Sequence, residues 1–224
     1  MPNKVEIRNT VRKAIIWDWN GTLLDDIDIC IQGINTYLKV RNLEMMNKKK
    51  YREIFNFPIK DYYSQIGFDF KKESFEELSA EFLKTYFANF KHTKLFKDAE
   101  VILSKLYKKG YYQYALSAMD QISLVDSIRK FGIHKYFNRI VGANNILAKG
   151  KSEYGYDLMF SENLIPGRTC LIGDTLHDQE VADQLKIPCI LVSIGHQTHK
   201  RLAVNGNFVV KSLQEALKAV YNIL

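Results

Sequence analysis

The chain has 224 residues, 46% of them hydrophobic, which is enough for a packed core with one inserted unit. A formal charge of +7 raises the question of a nucleic-acid partner. The surplus is spread along the chain, however, the longest basic runs (Lys48-Lys49-Lys50 and Lys71-Lys72) sit among acids, and no nucleic-acid reader motif is present, so none is expected.

In chain order, residues 1–13 are polar and charged. The apolar run behind them is far shorter than a signal sequence core or a membrane span, so a cytoplasmic location and no membrane partner are expected. That run, Ala14-Ile15-Ile16-Trp17, ends abruptly at Asp18 and is followed by Asn20-Gly21, which reads as a buried strand entering a turn. Residues 26–90 then show helical spacing and no convincing strand. Ile27, Ile31, Ile34 and Leu38 form one stripe, and Phe75, Leu78, Phe82 and Tyr86 another.

From residue 97 onward, short apolar runs alternate with helical patterns. Strands are expected at 112–116, 139–141, 169–172 and 189–192, with a sixth at 208–210, and helices at 99–109, 122–131, 154–160 and 178–185. This alternation predicts an α/β fold with a doubly wound, mainly parallel sheet. The domain division is 1–24 with 97–224 as the core and 25–96 as an inserted, all-helical unit over the first strand's carboxyl end. Cys30, Cys170 and Cys189 are odd in number, far apart and without the close Cys/His spacing of a structural zinc site, so reduced, mostly buried thiols are expected.

In an open parallel sheet, ligands bind outside the carboxyl ends of the strands. Polar residues gather at those ends: Asp18-Trp19-Asn20-Gly21-Thr22 after the first strand, Ser117 after the second, Lys151 after the third, and Gly173-Asp174-Thr175 with Asp178 after the fourth. Asp18-Trp19-Asn20-Gly21-Thr22-Leu23-Leu24-Asp25 resembles the first motif of the haloacid dehalogenase superfamily. Ser117 resembles its second motif, Lys151 its third, and Gly173-Asp174-Thr175-Leu176-His177-Asp178 its fourth. The order of all four agrees, and the helical insertion is similar to the family's cap domain, with phosphoglycolate-phosphatase-like members the nearest in look. The resemblance implies a Rossmann-like core and a magnesium-dependent phosphohydrolase acting on a small phosphorylated metabolite such as phosphoglycolate.

Each position has a physical rationale. An anionic nucleophile approaches an anionic phosphorus slowly, so such a site needs cations and oriented donors. Asp18 is the candidate nucleophile, because a carboxylate can take the phosphoryl group as an acyl-phosphate that water later cleaves. Mg²⁺ prefers a few carboxylate oxygens with water and substrate phosphate, which suits Asp18 and Asp174. The resemblance adds the Asn20 carbonyl as a ligand, and Asp178 is expected to hold the metal or its water while capping the following helix. Ser117, Ala118, Gly21 and Thr22 are expected to hold phosphoryl oxygens. A lysine supplies a compact charge, and Lys151 is chosen over Lys149 by likeness to related phosphatases. His177 lies within the fourth motif, whereas His196 and His199 read as polar loop residues.

One position departs from the family. Most phosphatases of the superfamily carry an aspartate two residues after the nucleophile as general acid and base, and this chain has Asn20. An amide delivers no proton at neutral pH, and positioned acid–base catalysis is typically worth about 10²–10⁴-fold. Four explanations stand: His177 or a residue of the insertion supplies the proton, the substrate has a good leaving group, the chain binds phosphate compounds without turnover, or Asn20-Gly21 deamidates to restore an aspartate. Oligomeric state and the insertion's selectivity residues are not legible in the sequence.

Overall fold

The computed structural model describes residues 12–144 and 150–224. The first strand, β1 (Ala14–Trp17), is buried at every residue, as a strand covered on both faces must be. After a short β2 (Leu24–Asp25) come four helices, α1 (Ile27–Val40), α2 (Lys48–Ile54), α3 (Ile59–Gln65) and α4 (Phe75–Asn89), and then β3 (Lys94–Leu95). The remainder alternates through α5 (Ala99–Lys108), β4 (Tyr112–Asp120), α6 (Gln121–Lys130), β5 (Arg139–Ala143), α7 (Lys151–Ser161), β6 (Thr169–Gly173), α8 (Leu176–Leu185), β7 (Cys189–Val192), α9 (His199–Leu202), β8 (Val209–Val210) and α10 (Leu213–Ile223).

Six strands form one parallel sheet in the order β5-β4-β1-β6-β7-β8, as expected for a doubly wound fold. The chain builds outward through β4 and β5 on one side of β1 and through β6, β7 and β8 on the other. The order therefore reverses between β1 and β6, and in such sheets that crevice is where ligands bind. Alternation along the strands divides the core. Ile15, Trp17, Ala115, Cys170 and Ile172 face α5, α6 and α10, whereas Ala14, Ile16, Leu116 and Leu171 face α7 and α8. All three cysteines are free and buried.

Residues 26–90 are helical, as expected, and bury a cluster of their own that includes Ile27, Ile34, Leu38, Tyr51, Tyr62, Leu78 and Tyr86. An unforeseen antiparallel pair joins the two crossings to the sheet region, with Leu24 opposite Leu95 and Asp25 opposite Lys94.

Other differences are local. β4 runs on past Leu116 to Asp120 with a register shift against β5, so Ser117 sits in an irregular strand rather than after its end. α7 begins at Lys151, three residues earlier than its apolar spacing indicates, because Glu153 Oε2 accepts a hydrogen bond from Gly150 N at 2.9 Å and organises the first turn. The sequence reading leaves 213–223 unassigned, yet Leu213, Ala216, Leu217 and Val220 make a helical stripe, and Ser212 Oγ accepts from Glu215 N at 3.2 Å. Among the described residues, no helix is long and apolar enough to cross a membrane.

Candidate active site

β1 and β6 run side by side, so Asp18 and Asp174, each one residue beyond its strand, are delivered to the same crevice. α8 starts immediately after and returns Asp178 to the same point. Its Oδ2 accepts from Asp174 N at 3.2 Å, Thr175 N at 3.0 Å and Thr175 Oγ1 at 2.8 Å. Lys151, first residue of α7, inserts its ammonium between Asp18 Oδ1 at 2.5 Å and Asp178 Oδ1 at 2.6 Å. The Thr22 hydroxyl lies 3.1 Å from both Asp18 Oδ2 and Asp174 Oδ1. Asp18, Lys151, Asp174 and Asp178 are all buried.

Crowding acids out of water shapes their ionisation. Burial raises the Asp18 carboxyl to about 6 even though Lys151 opposes the rise. Asp174 reaches about 8 through burial, with His196 lowering it and Asp18 and Asp178 pushing it further up. Burial would raise Asp178 as well, but Lys151 outweighs it and holds that acid below its ordinary value. For Lys151, burial alone would lower the pKa, and the facing Asp178 and Asp18 carboxylates raise it instead.

Carboxylate oxygens of Asp18, Asp174 and Asp178 lie within 4.8 Å of one another. An oxygen-only donor set of this kind fits a hard divalent cation such as Mg²⁺. Both Asp178 oxygens are already engaged, one by Lys151 and one by the α8 turn, which fits an outer partner better than a direct ligand. The approach is tight. Gly21 has φ +75°, and a Cβ on it or on Gly195 would collide with the Asp174 carboxylate, so both positions require glycine.

A cavity of about 360 Å³ opens above this cluster, between the carboxyl ends of the strands and the helices of residues 26–90. Asp18, Asn20, Ser117, Ala118, Lys151, Asp174 and Asp178 all reach its wall. Gly21 and Thr22 do not. The Gly21 N–H is taken by Leu24 O at 2.9 Å and Asp26 Oδ1 at 3.2 Å, and Thr22 turns its hydroxyl to the acids. Lys149, the rejected alternative to Lys151, lies outside the described residues.

Asn20 is held by a second buried network that sequence reasoning misses. Its Nδ2 donates to Asp26 Oδ2 at 2.8 Å and to Tyr86 OH at 2.9 Å, and Ser117 Oγ lies 3.4 Å from its Oδ1. Asp26 also accepts from Tyr86 OH at 2.9 Å and pairs with His196 Nε2 at 3.3 Å, while His196 Nδ1 meets Tyr51 OH at 2.9 Å. Burial would lower the His196 pKa, but Asp26 and then Asp174 raise it to about 9. Burial pushes Asp26 upward, and His196 nonetheless keeps it below its ordinary value.

His196 is thus a buried wall residue and not the polar loop residue its neighbours suggest. The available signal was its position, in Gly195-His196-Gln197 just beyond the carboxyl end of β7. His177 does reach the wall, its ring 4.9 Å from that of Phe57 and tilted 32° to it, and His199 stays exposed on α9.

Comparison with known proteins agrees with this geometry. The chain is 22% identical over 223 residues to the probable phosphatase IndB of Dickeya dadantii, covering 96% of each protein. A predicted phosphatase from Clostridium acetobutylicum superposes with a TM-score of 0.76 at 20% identity, over 95% of this chain and 100% of that one. A predicted phosphoglycolate phosphatase from Haemophilus somnus gives 0.72 at 20% identity, over 94% and 99%. Residues 15–192, from β1 through the end of β7, match the haloacid dehalogenase-like hydrolase model, and the chain belongs to that family.

Proposed function

We propose that this protein is a phosphatase that cleaves a small phosphomonoester by passing the phosphoryl group through Asp18, with Mg²⁺ held by Asp18, Asp174 and the Asn20 carbonyl. The observation that carries the reading is the Lys151 ammonium bonded at once to Asp18 and Asp178 at the floor of a cavity. A lone buried carboxylate would stay protonated, and the adjoining cation keeps a nucleophilic form accessible.

In the proposed cycle an Asp18 oxygen forms a bond to phosphorus while the ester P–O bond breaks and its electron pair leaves with the alcohol oxygen. Water then cleaves the aspartyl-phosphate and frees inorganic phosphate. Bound magnesium would supply positive charge to the phosphoryl oxygens. Lys151 stays on the Asp18 side of the transferring group, while Ser117 and the Ala118 N–H receive phosphoryl oxygens. Asn20 contributes no proton, since an amide is not an acid at neutral pH, and its N–H groups hold Asp26 and Tyr86. Residues 25–96 act as the cap, roofing the site and excluding water while the phosphoryl group moves. Among small organic phosphates, phosphoglycolate is supported only by likeness to proteins such as the predicted phosphoglycolate phosphatase of Haemophilus somnus.

Phosphate release over a metabolite panel with Mg²⁺ tests the reading. Release should depend on the metal and fall by about 10³-fold or more in Asp18→Asn, as expected for loss of a nucleophile. Release unaffected by that substitution would remove Asp18 from the role. No release from any phosphate ester would leave a phosphate-binding protein that has lost its acid.

A further inference from the structure

The cavity wall divides by chemistry. Its floor is charged, but the helices of residues 26–90 present aromatic and aliphatic side chains, among them Tyr51, Phe55, Tyr62, Phe75, Phe82 and Tyr86. These helices contribute no lysine or arginine to the wall. The cationic candidates there are Lys151, His177 and His196, and each already faces an acid: Asp18 and Asp178, Glu180, and Asp26 respectively. Among the described residues, a leaving group carrying a carboxylate would meet no free cation in this space, and burying an unpaired charge is strongly unfavourable. The volume of about 360 Å³ falls within the range of roughly 300–1,000 Å³ for small-molecule pockets and leaves room for an aromatic ring.

A second feature points the same way. Asn20 cannot protonate a leaving group, which penalises alkoxides far more than phenoxides, because a phenol ionises near pH 10 whereas water-like hydroxyls ionise near 16.

We infer that the substrate is an aryl phosphomonoester. Its uncharged aromatic ring lies among the aromatic side chains of the inserted helices. This inference rests on the phosphatase reading and names its substrate class. The Asp18–phosphorus bond forms as the aryl ester bond breaks, the electron pair departs as phenoxide, and solvent protonates it after release.

Steady-state phosphate release by the intact protein with Mg²⁺ on matched substrate pairs tests it. Phenyl and 2-naphthyl phosphate have leaving groups of similar basicity, and the larger ring should gain about tenfold in kcat/KM from added apolar burial. Benzyl phosphate and phosphoglycolate both release alkoxides, and the uncharged ring should lead by about a hundredfold. Phosphoglycolate matching or exceeding benzyl phosphate would overturn the aryl class and leave the phosphatase reading standing. No release from any of the four would overturn both.

Discussion

The floor and the roof of the cavity are built on opposite principles. On the floor, Asp18, Asp174, Asp178 and Lys151 are packed within hydrogen-bonding reach, and nearly every polar atom is compensated by a neighbour. On the roof the surface is aromatic and carries no lysine or arginine from residues 26–90. Chemistry needs charges fixed before the substrate arrives, whereas selection needs a surface completed by the substrate itself. Asn20 stands at the seam, tied below to Ser117 and above to Asp26 and Tyr86.

Lys151→Met strikes the floor hardest. It leaves Asp18 and Asp178 facing each other without a cation, so phosphate release should fall by about 10²–10³-fold. A melting curve should show whether the protonated acids still support the fold. Activity within a few-fold of wild type would mean that the lysine only balances charge.

Asn20→Asp probes the seam. It should raise turnover of alkyl phosphates by up to about 10²-fold and change aryl phosphates little, because only alkoxides need a proton. The same substitution sets a second carboxylate against Asp26 Oδ2, now 2.8 Å from the amide nitrogen, so the melting temperature should fall even as alkyl turnover rises. Equal gains on both ester classes would show that the missing acid is not what limits the enzyme.

Smaller effects report on the tie between the two regions. Tyr86→Phe removes one hydroxyl that bonds both Asn20 and Asp26, and should destabilise the protein by about 1 kcal/mol in denaturant titration. No measurable loss would make the seam a contact without energetic weight. The smallest expected change concerns deamidation at Asn20-Gly21. The Gly21 nitrogen that would attack is hydrogen-bonded and the amide is held by two partners, so mass spectrometry of the native protein should find Asn20 intact, with conversion appearing only after unfolding.

Much of the floor was legible in the sequence because strand ends are visible there. A run such as Ala14–Trp17 stops where polarity begins, and in a parallel sheet every such stop lies on one edge. Asp174 follows this rule, whereas Ser117 lies inside β4 and Asp178 on α8, and both were singled out with the help of the family resemblance. Lys151 needed the resemblance, since α7 starts at a glycine cap whose apolar stripe begins three residues later. Gly21 and Thr22 were assigned to phosphate because they neighbour Asp18, but the turn after β1 directs their groups to Leu24, Asp26 and the acids. Sequence proximity does not reveal which way a turn aims its donors.

The roof and the seam belonged to tertiary structure. Asp26 read as a residue at the edge of a helical insertion, Tyr86 as part of a helical stripe and His196 as loop, and they are 60 and 170 residues from Asp26 along the chain. Their convergence depends on how α1 and α4 pack over the sheet and on where the loop after β7 ends, which no local pattern encodes. The sequence by itself determined the alternating fold, the family and the acids at the strand ends, because periodicity and strand termini are local properties. Only the folded molecule decided that the missing acid's place is bound into an Asp26–His196–Tyr86 network and that the wall above it is aromatic, because both follow from long-range packing.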